Sequence, residues 1–338
     1  MDNHSSPYVC GCGTELNRRS FLKTSAAGLA AAAIPFPFLS PVRTRAVSPA
    51  SSPETLVVSL YKSLTDAQRK AIAFPFDHPL RSKVDNNWNI TEQTIGKFLS
   101  PDQQQMVREI FVGIHSPEYV ERVVKQVEHD NREDGGFGGC SVALFGEPGS
   151  GKFEFVFTGR HVTRRCDGDS VEGAAFGGPI FYGHAPHEFT EKPDHPDSTY
   201  WFQALRANEV FKALDGKQRR MALLDHSRKE QGTETVKLSG KRTGLPGIPL
   251  SELSRDQKGL VQNVLADLLA PFRKEDADEA TKLIEANGIE NLHMAFFKGQ
   301  DVGNDGVWDV WQIEGPAMLW YFRGEPHVHT WVHIRQSA

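Results

Sequence analysis

The sequence has few cysteines, no uninterrupted apolar run long enough to cross a bilayer and no excess of positive charge, and each shortage removes a class of protein. Four cysteines in 338 residues rule out a small scaffold stapled by disulfides. The longest weakly apolar run, Thr24 to Ile34, meets Pro35 and Pro37 well short of the ~18–20 residues a spanning helix needs. Net charge is −5 overall; residues 1–50 hold five basic and two acidic residues, so removing their net +3 leaves the remainder near −8. An acidic chain without a basic stripe is not built for nucleic acid or for an anionic membrane surface. A dinucleotide fingerprint, a nucleophile elbow and paired redox cysteines are also missing.

What is present begins at Asn17-Arg18-Arg19-Ser20-Phe21-Leu22-Lys23, followed by the Ala-rich run. Paired arginines ahead of a short apolar stretch form a twin-arginine export signal, read by a receptor of the export machinery. Cys10 and Cys12 precede the apolar run, which excludes a lipid-modified cysteine after it. Small residues at Ala46 and at Ser48-Pro49-Ala50 place signal cleavage near residues 46–50. The expected organisation is a signal and short linker over residues 1–50 and a single α+β domain over 51–338, working in the periplasm or outside the cell. Twin-arginine routes carry folded proteins, many of them loaded with a cofactor before export. Cys140 and Cys166 flank a predicted hairpin, where they either pair as a disulfide or remain two buried thiols.

The first half of this domain reads as helical. Leu64-Thr65-Asp66-Ala67-Gln68 and Leu99-Ser100-Pro101-Asp102-Gln103 each place Thr or Ser three residues before Gln, the pattern of a capping box, and the phrase returns at Leu214–Gln218 and Leu253–Gln257. The irregular spacing marks helix starts and excludes a solenoid. After the glycine-rich break at Gly135–Gly139 the texture changes to strands, Ser141–Phe145 and Phe153–Arg165. The intervening Gly146–Lys152 has the glycine and lysine offsets of a phosphate-binding loop. Phe153 stands where that loop needs Ser or Thr, however, and a strand follows where it needs a helix. Helices are predicted at about Tyr200–Leu214, Lys217–Leu224, Arg255–Ala270 and Glu275–Asn287, with Lys229–Pro249 as an exposed lobe or loop. The chain ends in strands at Leu292–Phe297, Val307–Glu314, Met318–Arg323 and His327–Arg335. The expectation is an α+β fold: a helical N-terminal part packed on an antiparallel sheet built from the central hairpin and the C-terminal strands.

The chemistry concentrates in Pro326–Ile334. Alternation puts Val328, Thr330, Val332 and Ile334 on one face and His327, His329, Trp331 and His333 on the other. Imidazoles at i and i+2 project to the same side about 6.6–7 Å apart, within reach of one cation, whereas His333 lies roughly 13 Å beyond His329. His161, which shares parity with Phe153, Phe155 and Phe157, is the leading third ligand. His184 and His187 come next, with Glu188 and Glu314 as carboxylates for proton transfer. Three neutral imidazoles and an open position suit zinc, copper or iron. The competing account of these histidines is a solvated stripe and a hydrogen-bonded core residue. Arg160, Arg164 and Arg165 are either anion-recognising or a solvated strand face; Trp308, Trp311, Trp320, Tyr321 and Trp331 are either a platform for a carbohydrate or small organic ligand or part of the core.

Leu144–Pro148, Phe157–Val162, Gly178–Gly183, Pro326–His329 and the helical phrases Leu64–Pro75 and Leu99–Gln103 together resemble a bacterial and fungal family known as domain of unknown function 3500. The resemblance spans most of the domain and implies one fold across it and the histidine positions. It implies no reaction. Where the family tends to have Gly-His-His, this chain has Gly159-Arg160-His161, one imidazole fewer. The functional expectation is a metal-dependent extracytoplasmic enzyme, hydrolytic or oxidative; the alternative is a non-catalytic binder of carbohydrate or small ligands.

Overall fold

Several helices start where side chains close the first turn. The computed structural model describes residues 51–185, 198–298 and 306–338, which fall in one unit, Ser48–Ala338. Helix α1 (Pro53–Ser63) begins at the Ser52 cap, and α2 (Asp66–Ile72), closed reciprocally by Thr65 and Gln68, runs into the short strand β1 (Ala73–Phe74). After α3 (Ile95–Phe98), helix α4 (Pro101–Gly113) is closed by Ser100 and Gln103 with Pro101 in its first turn. Helix α5 (Val120–Asp130) leads to strands β2 (Ser141–Gly146), β3 (Phe153–Gly159), β4 (Val162–Cys166) and β5 (Ile180–His184). The pattern then recurs: α6 (Phe202–Ala213), α7 (Gly216–Ala222) closed by Asp215 and Gln218, β6 (Leu223–Leu224), β7 (Ile248–Pro249), α8 (Arg255–Leu269) closed by Ser254 and Gln257, and α9 (Lys274–Asn287). Strands β8 (His293–Phe297), β9 (Val310–Gly315), β10 (Met318–Arg323) and β11 (Val328–Ile334) complete it.

All these strands form one sheet, in the order β1-β2-β3-β4-β5-β11-β10-β9-β8-β6, with β7 beside β8. The order is the same read from either edge. Strand β1 is parallel to β2 as β6 is to β8, the other neighbours are antiparallel, and β5 meets β11 at the centre with Ile180 opposite Val332. The chain is thus an internal duplication folded into a single sheet. Side chains repeat as well: Gln68 and Gln103 exchange amide hydrogen bonds at 2.9 and 3.1 Å, and Gln218 and Gln257 do so at 3.0 and 2.7 Å. The recurrent Leu-x-x-x-Gln phrase therefore marks equivalent helices of two halves as well as helix starts.

One face of the sheet carries Phe155, Phe157, Tyr182, Trp320, Val328 and Val332 into a core shared with the helices. The other face, with Phe181, Tyr321 and Trp331, is covered by Val84 and Val236 from two corresponding connecting segments. The stretch Lys229–Pro249, expected as an exposed lobe, is instead partly a cover, because Val236, Leu245 and Ile248 are buried. The strand expected over Phe153–Arg165 breaks in two. Arg160 and His161 make a tight turn between β3 and β4, with Gly159 opposite Val162 and His161 at φ +59°. Cys140 and Cys166 are free and buried; burial raises both thiols far above the ordinary range, so they are inert side chains of the core.

Candidate metal centre

The turn that interrupts the β3–β4 strand is what aims His161. A left-handed backbone costs a residue with a side chain about 1–3 kcal/mol and is retained where surroundings enforce it. Here the His161 N–H donates to the Asn86 carbonyl at 2.8 Å and its carbonyl accepts from Gly183 N–H at 3.0 Å. Gly183 sits opposite His329 in the β5–β11 ladder. A Cβ on Gly183 would lie 2.4 Å from the Val328 carbonyl oxygen and 3.4 Å from the His161 Cβ, so only glycine lets β11 and the turn approach this closely.

The result is a triangle of rings. Centroids of His161 and His327 are 4.8 Å apart, of His161 and His329 5.0 Å, and of His327 and His329 4.7 Å. One ring nitrogen from each lies within 4.8 Å of the other two, and His327 Nε2 is 3.0 Å from His329 Nε2. Nitrogens bound at ~2.0–2.1 Å around a tetrahedral ion are separated by roughly 3.4 Å, so small side-chain rotations bring the three into ligand geometry. Burial, with the neighbouring His329, His161 and Arg323, lowers His327 to about 3. Burial also lowers His329, to about 4, with Glu230 partly offsetting it. Both imidazoles are neutral at neutral pH, the form that binds metal.

Two carboxylates stand behind the rings. His161 Nδ1 pairs with Asp130 Oδ2 at 3.0 Å, and His329 Nδ1 with Glu230 Oε2 at 2.7 Å. Burial works against ionising Asp130, but the bonds and charge from His161 and the bond from Gln126 outweigh it and hold its carboxyl below the usual range. Glu230 is held at about 2 against burial by His329 and Arg323.

The other expected residues are placed differently. His184 faces Val328 across the ladder and so belongs to the helix side of the sheet, outside the cluster, where Asp130 feels its charge. Glu314 is opposite Leu319, which is opposite His333; it pairs with Arg228 at 2.8 Å at the far end of the strands and has no place in the centre. His187 and Glu188 lie outside the described residues, as does the cleavage site. His333 donates Nδ1–H to the Val236 carbonyl at 3.1 Å, away from the cluster as its spacing requires. Arg164 and Arg165 are neither solvated nor open to a ligand: both are buried, Arg164 against His115 and Arg165 against Glu154. Trp311, Trp320 and Trp331 are fully buried and form no exposed platform. Sequence patterns do not single out Asp130 and Glu230; their only signal is a carboxylate at the end of an amphipathic helix and another in a polar stretch.

The duplication does not duplicate the centre. Arg335 N–H donates to the Ala317 carbonyl at 2.8 Å, as Gly183 does to His161, which makes Ala317 the counterpart of His161. The segment bridged to Arg335 through Ala174 carries Ala174, Ala175, Gly177 and Gly178 and no imidazole.

The chain belongs to the family described as Protein of unknown function (DUF3500), whose model matches residues 48–336. A twin-arginine translocation pathway signal sequence matches residues 15–35, so the protein is exported, to the periplasm or beyond. Among the described residues no helix is long and apolar enough to cross a membrane. Neither the curated proteins nor the solved structures give a match.

Proposed function

We propose that this DUF3500 protein is a metal-dependent extracytoplasmic enzyme, hydrolytic or oxidative, that holds zinc, copper or ferrous iron on His161, His327 and His329. The observation that carries the reading is the convergence of His161, on a strained turn, with the i, i+2 pair His327 and His329 from a distant part of the chain. A set of neutral nitrogen donors selects borderline cations over magnesium or calcium, which prefer oxygen. Three protein ligands leave a position for water or substrate, the arrangement of catalytic sites; structural ones fill all four. Bound there, the ion would polarise a substrate oxygen and lower the pKa of its water towards ~7. Export in the folded state lets the protein be loaded in the cytoplasm, where metal supply is controlled.

The test is elemental analysis of protein exported by its own signal, beside a His327→Ala/His329→Ala variant checked for folding by circular dichroism. The expected result is a stoichiometric transition metal in the wild type and its loss in the variant. A metal-free wild type that also fails to take up zinc, copper or iron, or equal metal in both proteins, overturns the reading.

A further inference from the structure

We infer that Asp130 and Glu230 are the positioning residues of this centre, fixing His161 and His329 as Nε2 ligands from opposite sides of the sheet; the inference rests on the metal reading above. A neutral imidazole offers a lone pair at only one nitrogen, and the proton moves between the two unless a partner holds it. An acceptor at Nδ1 holds the proton there and leaves Nε2 free, the task that carboxylates perform behind metal-bound histidines.

The two carboxylates are committed to that task. Asp130, at the end of α5, receives His161 Nδ1–H at 3.0 Å, Gln126 Nε2–H at 2.9 Å and the Ala185 N–H at 3.3 Å, and its side chain is 1% exposed. It has no room to bind the ion. Glu230, from the segment covering the other face, receives His329 Nδ1–H at 2.7 Å and Arg323 Nε–H at 2.6 Å. Arg323 also donates to the Glu325 carbonyl at 2.7 Å, tying the end of β10 and the turn before His327 to the same carboxylate. An Arg323 Nη also approaches His329 Nδ1. Arg323 can only donate and Glu230 can only accept, so Nδ1 serves one of them; Arg323 has other acceptors in Glu230 Oε1 and the Glu325 carbonyl, whereas Glu230 Oε2 pairs with His329, and we assign the proton to the ring. The centre is therefore gripped by the helix layer through Asp130 and by the covering segment through Glu230, so a bound ion would stiffen the contact that already holds that segment on the sheet.

A buried His–carboxylate pair that merely stabilises the fold makes the opposite prediction about metal. Zinc and cobalt affinities of the metal-stripped chain are measured by chelator competition for wild type, Asp130→Asn and Glu230→Gln, with the cobalt absorption spectrum and the melting temperature of each metal-free protein. The expected result is a weakening of ~10–100-fold in each variant, with a shifted cobalt spectrum and slower hydrogen exchange around Glu230 only on loading the wild type. Gln126→Ala and Arg323→Lys keep both carboxylates and are expected to weaken binding less, which keeps the question answerable should an isosteric variant unfold. Wild-type affinity and an unchanged spectrum in all variants overturn the positioning role while leaving the metal reading intact. A wild type that takes up none of zinc, cobalt, copper or iron overturns both.

Discussion

His115 illustrates how a buried imidazole makes this protein sensitive to acid without touching a metal. It donates Nδ1–H to the Phe111 carbonyl at 2.6 Å and accepts from Arg164 Nε at 3.0 Å. Burial first, and then the Arg164 charge, lower it to about 3. His333, on the other face, is lowered to about 4 chiefly by burial. An unfolded chain protonates both near pH 6.5 while the folded protein keeps them neutral, so below that pH the unfolded state binds more protons and stability falls. Their contribution is present above about 6.5 and is lost progressively towards pH 4 and 3. Melting of metal-free protein across that range should show the decline, and His115→Gln, which cannot take up the proton, should flatten its slope; an unchanged slope would assign the sensitivity to other groups. The same residue type explains what the sequence disclosed of the site. The i, i+2 spacing of His327 and His329 carries its geometry in the period of a strand. The parity that points to His161 is broken by a turn, and Asp130 and Glu230 contact their imidazoles across separations of 31 and 99 residues, which no local pattern encodes.

Among the elements, the paired glutamines tie helix ends together. Gln103 closes the first turn of α4 by accepting from Ser100 N–H at 2.9 Å, and its amide donates to the Ser63 carbonyl at 3.1 Å and to Gln68. Gln257 does the same for α8, reaching the Ala213 carbonyl at 2.8 Å and Gln218. Truncation removes a cap and leaves carbonyls without a donor, so Gln103→Ala should cost ~1–3 kcal/mol in equilibrium denaturation. Gln257→Ala should cost less, because Gln257 is partly exposed while Gln103 is buried. The clasps belong to different halves, and the double variant should come within ~0.5 kcal/mol of the sum; a large excess would mean the halves share this junction. These caps were legible because a capping box is local in sequence. The duplication they belong to was not, since what the halves share is strand register and a few hydrogen-bonding residues, with different side chains filling equivalent core positions such as Arg164 and Trp320.

For the molecule as a whole, a duplicated sheet with one histidine cluster among the described residues makes a quantitative demand on metal binding. Were the centre a property of the architecture, both ends of the β5–β11 junction would offer ligands; the far end offers Ala317, Ala174, Ala175 and Gly177 instead. Titration of the stripped chain with zinc should therefore saturate at one ion, and His161→Ala should not expose a second site. Because the centre joins the β3–β4 turn, β11, the helix layer and the covering segment, and because one sheet runs through both halves, the ion should stabilise the entire domain. At a free concentration of 100 Kd the gain is about 2.7 kcal/mol, visible as a single melting transition moving upward with metal. Two transitions, of which only one responds, would mean that the halves unfold independently and that the continuous sheet does not couple them.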